Sequence, residues 1–189
     1  MTDGPRAVAI GASAGAVQAL SIILPQLPAD YPLPVLVVVH VPAEPSSLAT
    51  LFDAKCRLSV REPEDKDPIE GGAIYFAPAG YHMLVENDRT IALSTDEPLL
   101  FSRPSIDILF ETAAESYRGG LVGVVLTGAN EDGARGAHAV SKAGGTVLIE
   151  DPGTAFAAAM PAAALARCPA TQPRSLDEIA KYLVDLGTK

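Results

Sequence analysis

Cysteine is scarce in this 189-residue chain: Cys56 and Cys168 stand alone and far apart. No C-x-x-C pair or His/Cys ligand spacing accompanies them. That pattern argues against a disulfide framework or a metal site and fits two reduced thiols in the cytoplasm. Long apolar runs are missing as well. The most strand-like of the runs present, VLVVV at 35–39, falls far short of the roughly 20 residues a membrane helix needs, and no other run approaches that length. The N-terminus MTDGPRAVAI lacks a basic region followed by an apolar stretch of signal-peptide length. Cationic residues are outnumbered, 14 Lys and Arg against 23 Asp and Glu, for a net charge of -9. With no Arg-rich or aromatic-interleaved stripe, this balance disfavours nucleic acid and anionic membrane as partners. No repeat or low-complexity linker divides the chain, so a single domain over residues 1–189 is expected.

What is present fits a compact protein, 48% apolar and 20% charged. AVAI (7–10), LPVLVVVH (33–40), LVGVVLT (121–127) and TVLIE (146–150) are short apolar runs of the kind that form buried strands. Helical patterns lie between and after them. These are VQALSIIL (17–24), SSLATLFDA (46–54), PSIDILFETAAESY (104–117), GARGAHAVSKAGG (133–145) and SLDEIAKYLVDLG (175–187). Pro104 suits a first helical turn, and Ser175 with Glu178 has capping-box spacing. AIYFAPA (73–79), HMLVE (82–86) and TIALS (90–94) read as a small antiparallel excursion, with turn chemistry at Asn87-Asp88-Arg89. The expectation is an α/β fold: a doubly wound, mostly parallel sheet with helices on both faces and a hairpin excursion.

In such sheets, functional groups gather beyond the carboxyl ends of the strands. Ser13 lies just past the first strand, within GASAG; His40 ends the second; Asp132 follows the third in LTGANEDGARG. Taken singly, Ser13 reads as a turn residue or helix cap and Asp132 as a cap. His40 demands a partner or a role, because a polar ring ends an otherwise apolar strand. If the three strands are neighbours, a hydroxyl, an imidazole and a carboxylate meet at one sheet edge. There imidazole takes the serine proton during attack on a carbonyl, and the carboxylate fixes the ring's tautomer. Backbone N–H groups after Ser13 or in the 128–133 turn would stabilise the oxyanion.

Two common glycine-rich sites fit poorly. A dinucleotide turn needs glycine where Ser13 stands and an acid where His40 stands. An α/β-hydrolase elbow matches G-x-S-x-G, but its triad runs serine, acid, histidine, whereas the order here is Ser13, His40, Asp132.

The segments GASAGAVQAL, VVVHVP, YFAPAGYHMLV, SRPSIDILFETAA and GVVLTGANEDGARG occur in that order, followed by D-x-x-T-x-F-x-x-x-M-P from Asp151 to Pro161. Together they resemble the catalytic domain of the chemotaxis protein-glutamate methylesterases, the CheB family, over roughly residues 7 to 186. The resemblance implies a cofactor-free, metal-free serine esterase. It would hydrolyse glutamyl methyl esters on the cytoplasmic helices of chemoreceptors and release methanol. Many members of the family also deamidate receptor glutamines. Position by position, the resemblance puts the nucleophile at Ser13, the base at His40 and the acid at Asp132. It suggests oxyanion donors at the Ala14 and Ala129 backbone, and substrate positioning by Arg103 or His82.

Departures from the family pattern surround the triad. Ala14 replaces a usual Thr and Ala16 a Gly; Val39 and Val41 replace Gln and Met; Ala129 and Asn130 replace Met and Gly. A backbone donor at Ala129 survives loss of the methionine side chain, and Asn130 tolerates the left-handed conformation of a glycine. Family members usually carry an N-terminal receiver domain. Here a strand begins at residue 7, so a stand-alone catalytic domain, regulated by a separate protein, is expected. The alternatives are a receptor glutamine deamidase and a catalytically weak interaction module. His138 and Glu131 read as solvent-facing.

Overall fold

The computed structural model describes residues 6–41 and 48–188. Its centre is a seven-stranded sheet in which every strand pairing is parallel. In chain order the strands are β1 (Ala7–Ala12), β2 (Val35–Val39), β3 (Ser59–Arg61), β4 (Ala73–Phe76), β7 (Leu121–Val125), β8 (Thr146–Glu150) and β9 (Pro173–Arg174). Across the sheet they run β3-β4-β2-β1-β7-β8-β9. A separate antiparallel hairpin joins β5 (His82–Val85) to β6 (Ile91–Ser94). Asp88 supports its turn, accepting hydrogen bonds from the Thr90 N–H and hydroxyl.

One expected placement is corrected. The run at 73–79 belongs not to the antiparallel excursion but to the main sheet, as β4 between β2 and β3. Ile74, Tyr75 and Phe76 are buried, as an interior strand requires. The sequence reading did not anticipate β3, β9 or the helix α5 (Ala159–Arg167). Part of the helix expected at 46–54 lies outside the described residues; the described portion is α2 (Leu48–Asp53).

Helices cover both faces. Strand side chains alternate, so Val8, Ile10, Val35, Val37, Val122 and Val124 face one apolar layer. That layer is completed by α1 (Ala16–Ile23), α2 and α6 (Leu176–Leu186), with Leu20, Ile23, Phe52, Ile179 and Leu183 fully or almost fully buried. Ala7, Ala9, Leu36, Val38 and Val125 face the other layer, built from α3 (Ile106–Tyr117), α4 (Ala134–Lys142) and α5. The capping box at Ser175 forms: its hydroxyl accepts from Glu178 N (3.2 Å), and Glu178 accepts from Ser175 N (2.8 Å). Pro104 is not in a first turn, because α3 begins at Ile106 with Ser105 as its N-cap.

One surface turn departs from local preference. Leu99 and Ser102 exchange both backbone hydrogen bonds (3.0 and 2.9 Å), so Leu100 and Phe101 alone make the loop. Both are left-handed, with φ 49° and 65°. That conformation costs about 1–2 kcal/mol at each L-residue.

Candidate active site

β2, β1 and β7 are adjacent and in register, so the three residues singled out at strand ends converge. The backbone ladder continues past the strands to hold them. Ser13 N donates to Thr127 O (2.9 Å), His40 N to Ala12 O (3.1 Å) and Leu126 N to Gly11 O (2.9 Å). Ser13 and His40 line one open cleft, with Gly15, Val17 and Val41. Gly15 turns the chain into α1 at φ 85°, where any Cβ would lie 2.6 Å from Phe156 Cβ.

His40 Nε2 is 2.7 Å from Asp132 Oδ2. The imidazole is largely covered, at 11% exposure, and the carboxylate is fully buried. Asp132 is therefore not a simple cap of its own helix. Its Oδ2 also accepts from Ile106 N (2.7 Å), and its Oδ1 from Ser105 Oγ and Asp107 N (both 3.0 Å). Four donors, three from the start of α3 and one from His40, thus hold the two oxygens of Asp132, which uses the hydrogen-bonding capacity of a carboxylate. Burial is the largest influence on Asp132 and pushes its pKa up. The His40 hydrogen bond and the N–H groups of Asp107 and Ile106 together outweigh it and hold the group below the ordinary value.

The favour is returned. Asp107 Oδ1 accepts from Gly133 N (3.0 Å) and Gly136 N (2.7 Å), at the N-terminus of α4. Each helix is thus capped by an aspartate from the other. The helices approach closely enough that a Cβ on Gly136 would lie 2.6 Å from Phe110 Cβ.

Burial raises the Asp107 pKa from 3.8 to about 6, aided by the charge of Asp132 and opposed by the Gly136 N–H and Arg135. Between these two values the folded state holds a proton that the unfolded chain has lost. Stability attributable to Asp107 is therefore complete below pH 4 and falls by up to ~3 kcal/mol as pH rises through 6. Asp107→Asn keeps an acceptor for Gly133 and Gly136 but never ionises. Thermal melts should show it matching wild type near pH 4 and exceeding it at pH 8. Asp107→Ala, with no acceptor, should melt lower at both. Equal melting of wild type and Asp107→Asn at pH 8 would refute the ionisation penalty.

Other residues fall into place around this core. His82 is corrected from a substrate contact to an internal support. It is 1% exposed, Nδ1 accepts from Ser105 N (3.1 Å), and Nε2 faces Glu97 O (3.0 Å). Both ring nitrogens are occupied, so His82 reaches Asp132 only through Ser105. Arg103 borders a cleft with His40, but its Nη1 donates to Thr95 O (2.8 Å) and Asp96 O (3.1 Å), bracing a loop. Asn130 does not adopt a left-handed conformation; its Oδ1 instead accepts from Asp132 N (3.1 Å). Glu131 and His138 are exposed.

Thr127 was missed, although it is a polar residue past a buried strand, the same signal that marked Ser13. It ties the Ser13 turn down: its hydroxyl donates to Ala14 O (2.8 Å) and accepts from Ala157 N (2.8 Å). Its own N–H donates to buried Glu150 (2.7 Å). Among the described residues, no acceptor takes the N–H of Ala14 or Ala129, and Ser13 Oγ makes no hydrogen bond. Nor do the described residues contain a group of three or more His, Cys, Asp or Glu side chains placed to hold a metal. No helix there is long and apolar enough to cross a membrane.

Comparison with known proteins agrees with this architecture. A family model described as CheB methylesterase matches residues 8–183. A relative from Leptospira interrogans, whose name pairs protein-glutamate methylesterase with protein-glutamine glutaminase, is 41% identical over 181 residues. The match covers 95% of this chain and 94% of the relative. A protein-glutamate methylesterase/protein-glutamine glutaminase from Symbiobacterium thermophilum is 44% identical over 157 residues, 82% of this chain and 43% of that protein. The crystal structure of the Thermotoga maritima CheB methylesterase catalytic domain superimposes with a TM-score of 0.89 at 33% identity, covering 97% of this chain and all of that one. With a family match over nearly its whole length and relatives this similar, the chain belongs to the CheB methylesterase family.

Proposed function

We propose that the protein is a serine esterase that hydrolyses glutamate γ-methyl esters on the cytoplasmic helices of methylated chemoreceptors. The observation that carries this reading is the His40–Asp132 hydrogen bond of 2.7 Å, placed beside Ser13 at the carboxyl ends of the central strands. Asp132 stays ionised, so it takes the Nε2–H of His40 and leaves Nδ1 as the basic nitrogen. On substrate binding, Ser13 Oγ attacks the ester carbonyl as its proton passes to His40 Nδ1. The imidazolium so formed is stabilised by Asp132. The backbone N–H groups of Ala14 and Ala129 are available to the oxyanion, since nothing within the described protein uses them. Collapse of the tetrahedral intermediate returns the proton to the leaving oxygen and frees methanol. Water, deprotonated by the same Nδ1, then cleaves the acyl-serine to free glutamate and Ser13.

The same steps with nitrogen leaving would deamidate glutamine and release ammonia. The paired activities in the relatives' names favour this as a second reaction of the site.

The test combines two readouts. Methanol release from methylated receptor membranes reports the substrate, and a fluorophosphonate adduct mapped by mass spectrometry reports the nucleophile. Methanol release together with an adduct on Ser13 is expected. An adduct elsewhere, or labelling without methanol release, would overturn the reading. Ammonia release from the same receptors carrying glutamine measures the second reaction.

A further inference from the structure

The Leu100–Phe101 turn has no structural reason to carry these residues. A two-residue loop with both members left-handed favours asparagine and glycine, which tolerate that backbone. Here it holds two bulky apolar residues at φ 49° and 65°. Burial does not offset the strain, because Phe101 is fully exposed, at 103% of its reference area, and Leu100 is 38% exposed. The turn is nonetheless fixed, by the paired Leu99–Ser102 hydrogen bonds and by Arg103 bracing the loop carbonyls at 95 and 96. Phe101 also borders the cleft that holds His40 and Val41. A second aromatic ring, Phe156, is 75% exposed and sits against Gly15 of the Ser13 turn. His40 and the Ser13 turn thus each have a solvent-facing aromatic ring beside them.

Strain held beside a reactive site, together with an uncovered aromatic ring, marks a residue whose burial comes from a ligand. We infer that the Leu100–Phe101 turn is a recognition finger for the protein substrate, packing Phe101 onto apolar side chains of the helix that carries the ester. This rests on the esterase reading of the site. A small ester is too short to cover a ring at the tip of a projecting turn. A helix lying across the cleft places side chains one and two turns away from the scissile glutamate, within reach of Phe101 and Phe156. Exposed aromatic anchors of this kind carry much of the binding free energy in protein interfaces.

The test uses the double variant Leu100→Asn/Phe101→Gly, which suits the turn's backbone while removing both side chains, and the single variant Phe101→Ala. Methanol release from methylated receptor membranes gives kcat and KM, fluorophosphonate labelling of Ser13 gives the state of the site, and thermal melts give stability. For the double variant, KM should rise about tenfold or more with kcat little changed, while its melting temperature rises by roughly 4 °C. Phe101→Ala should show the KM increase without that gain in stability. A wild-type KM in the double variant would overturn the finger, as would a lower melting temperature. So would conversion of a wild-type dimer to monomers, since the turn would then serve a second copy of this chain. If wild type labels at Ser13 but releases no methanol, the esterase reading fails and this substrate assignment fails with it. If wild type releases methanol and the variants match its KM, only the finger fails.

Discussion

Ser13→Ala should lower methanol release from methylated receptor membranes at least ~10³-fold and abolish fluorophosphonate labelling. The substitution removes the one oxygen that can carry the acyl group and leaves the turn intact. What holds the turn is backbone: Ser13 N to Thr127 O, Ala16 N to Ser13 O (2.9 Å each), and the Thr127 hydroxyl on Ala14 O. The Ser13 side chain makes no hydrogen bond among the described residues. Melting temperature should therefore be unchanged, which separates loss of chemistry from loss of fold. Residual turnover within tenfold of wild type would remove Ser13 from the nucleophile role.

Asp132→Asn should cost about 10⁴-fold in kcat through a different route. The amide has one oxygen where the carboxylate has two. If that oxygen keeps Ser105 Oγ and Asp107 N, the NH₂ group turns toward Ile106 N and His40 Nε2, both of which are donors in the wild type. His40 then accepts on Nε2 and carries its proton on Nδ1, the nitrogen needed as base. Unlike Ser13→Ala, this variant also leaves the Ile106 N–H buried without a partner, at a cost of about 1–3 kcal/mol. Measured together, Ser13→Ala should abolish labelling and Asp132→Asn should slow it, with a lowered melting temperature only for Asp132→Asn. An Asp132→Asn protein that labels at the wild-type rate would show that the acid does not set the tautomer.

The three strand ends were legible in the sequence because each follows a run of residues buried on both faces, where a polar side chain stands out. What surrounds them was not. Ser105 and Asp107 meet Asp132 across 27 and 25 residues of chain, and His82 meets Ser105 across 23; nothing in a local pattern distinguishes a helix-start aspartate from one that caps a different helix. An acid at the position of Asp107, in a first helical turn, ordinarily faces its own helix dipole; its carboxylate instead serves α4. β4 was drawn into the hairpin because it precedes β5 closely in sequence, while its partner β3 has only three residues and too little pattern to read. α5 was hidden by Pro161 and a run of alanines that gives little amphipathic contrast. The Leu100–Phe101 turn carried no turn signal, since neither residue belongs to the usual set.

The exchange of aspartates between α3 and α4 bears on when the enzyme first becomes reactive during its own synthesis. Three of the four donors on the Asp132 carboxylate come from the start of α3, and the start of α4 is positioned by Asp107, so neither helix end is complete before the other arrives. On the proposed mechanism, a chain in which α3 and α4 have not yet docked has no oriented acid behind His40 and hence no activated hydroxyl at Ser13. Reactivity toward esters is thereby withheld until the tertiary structure closes.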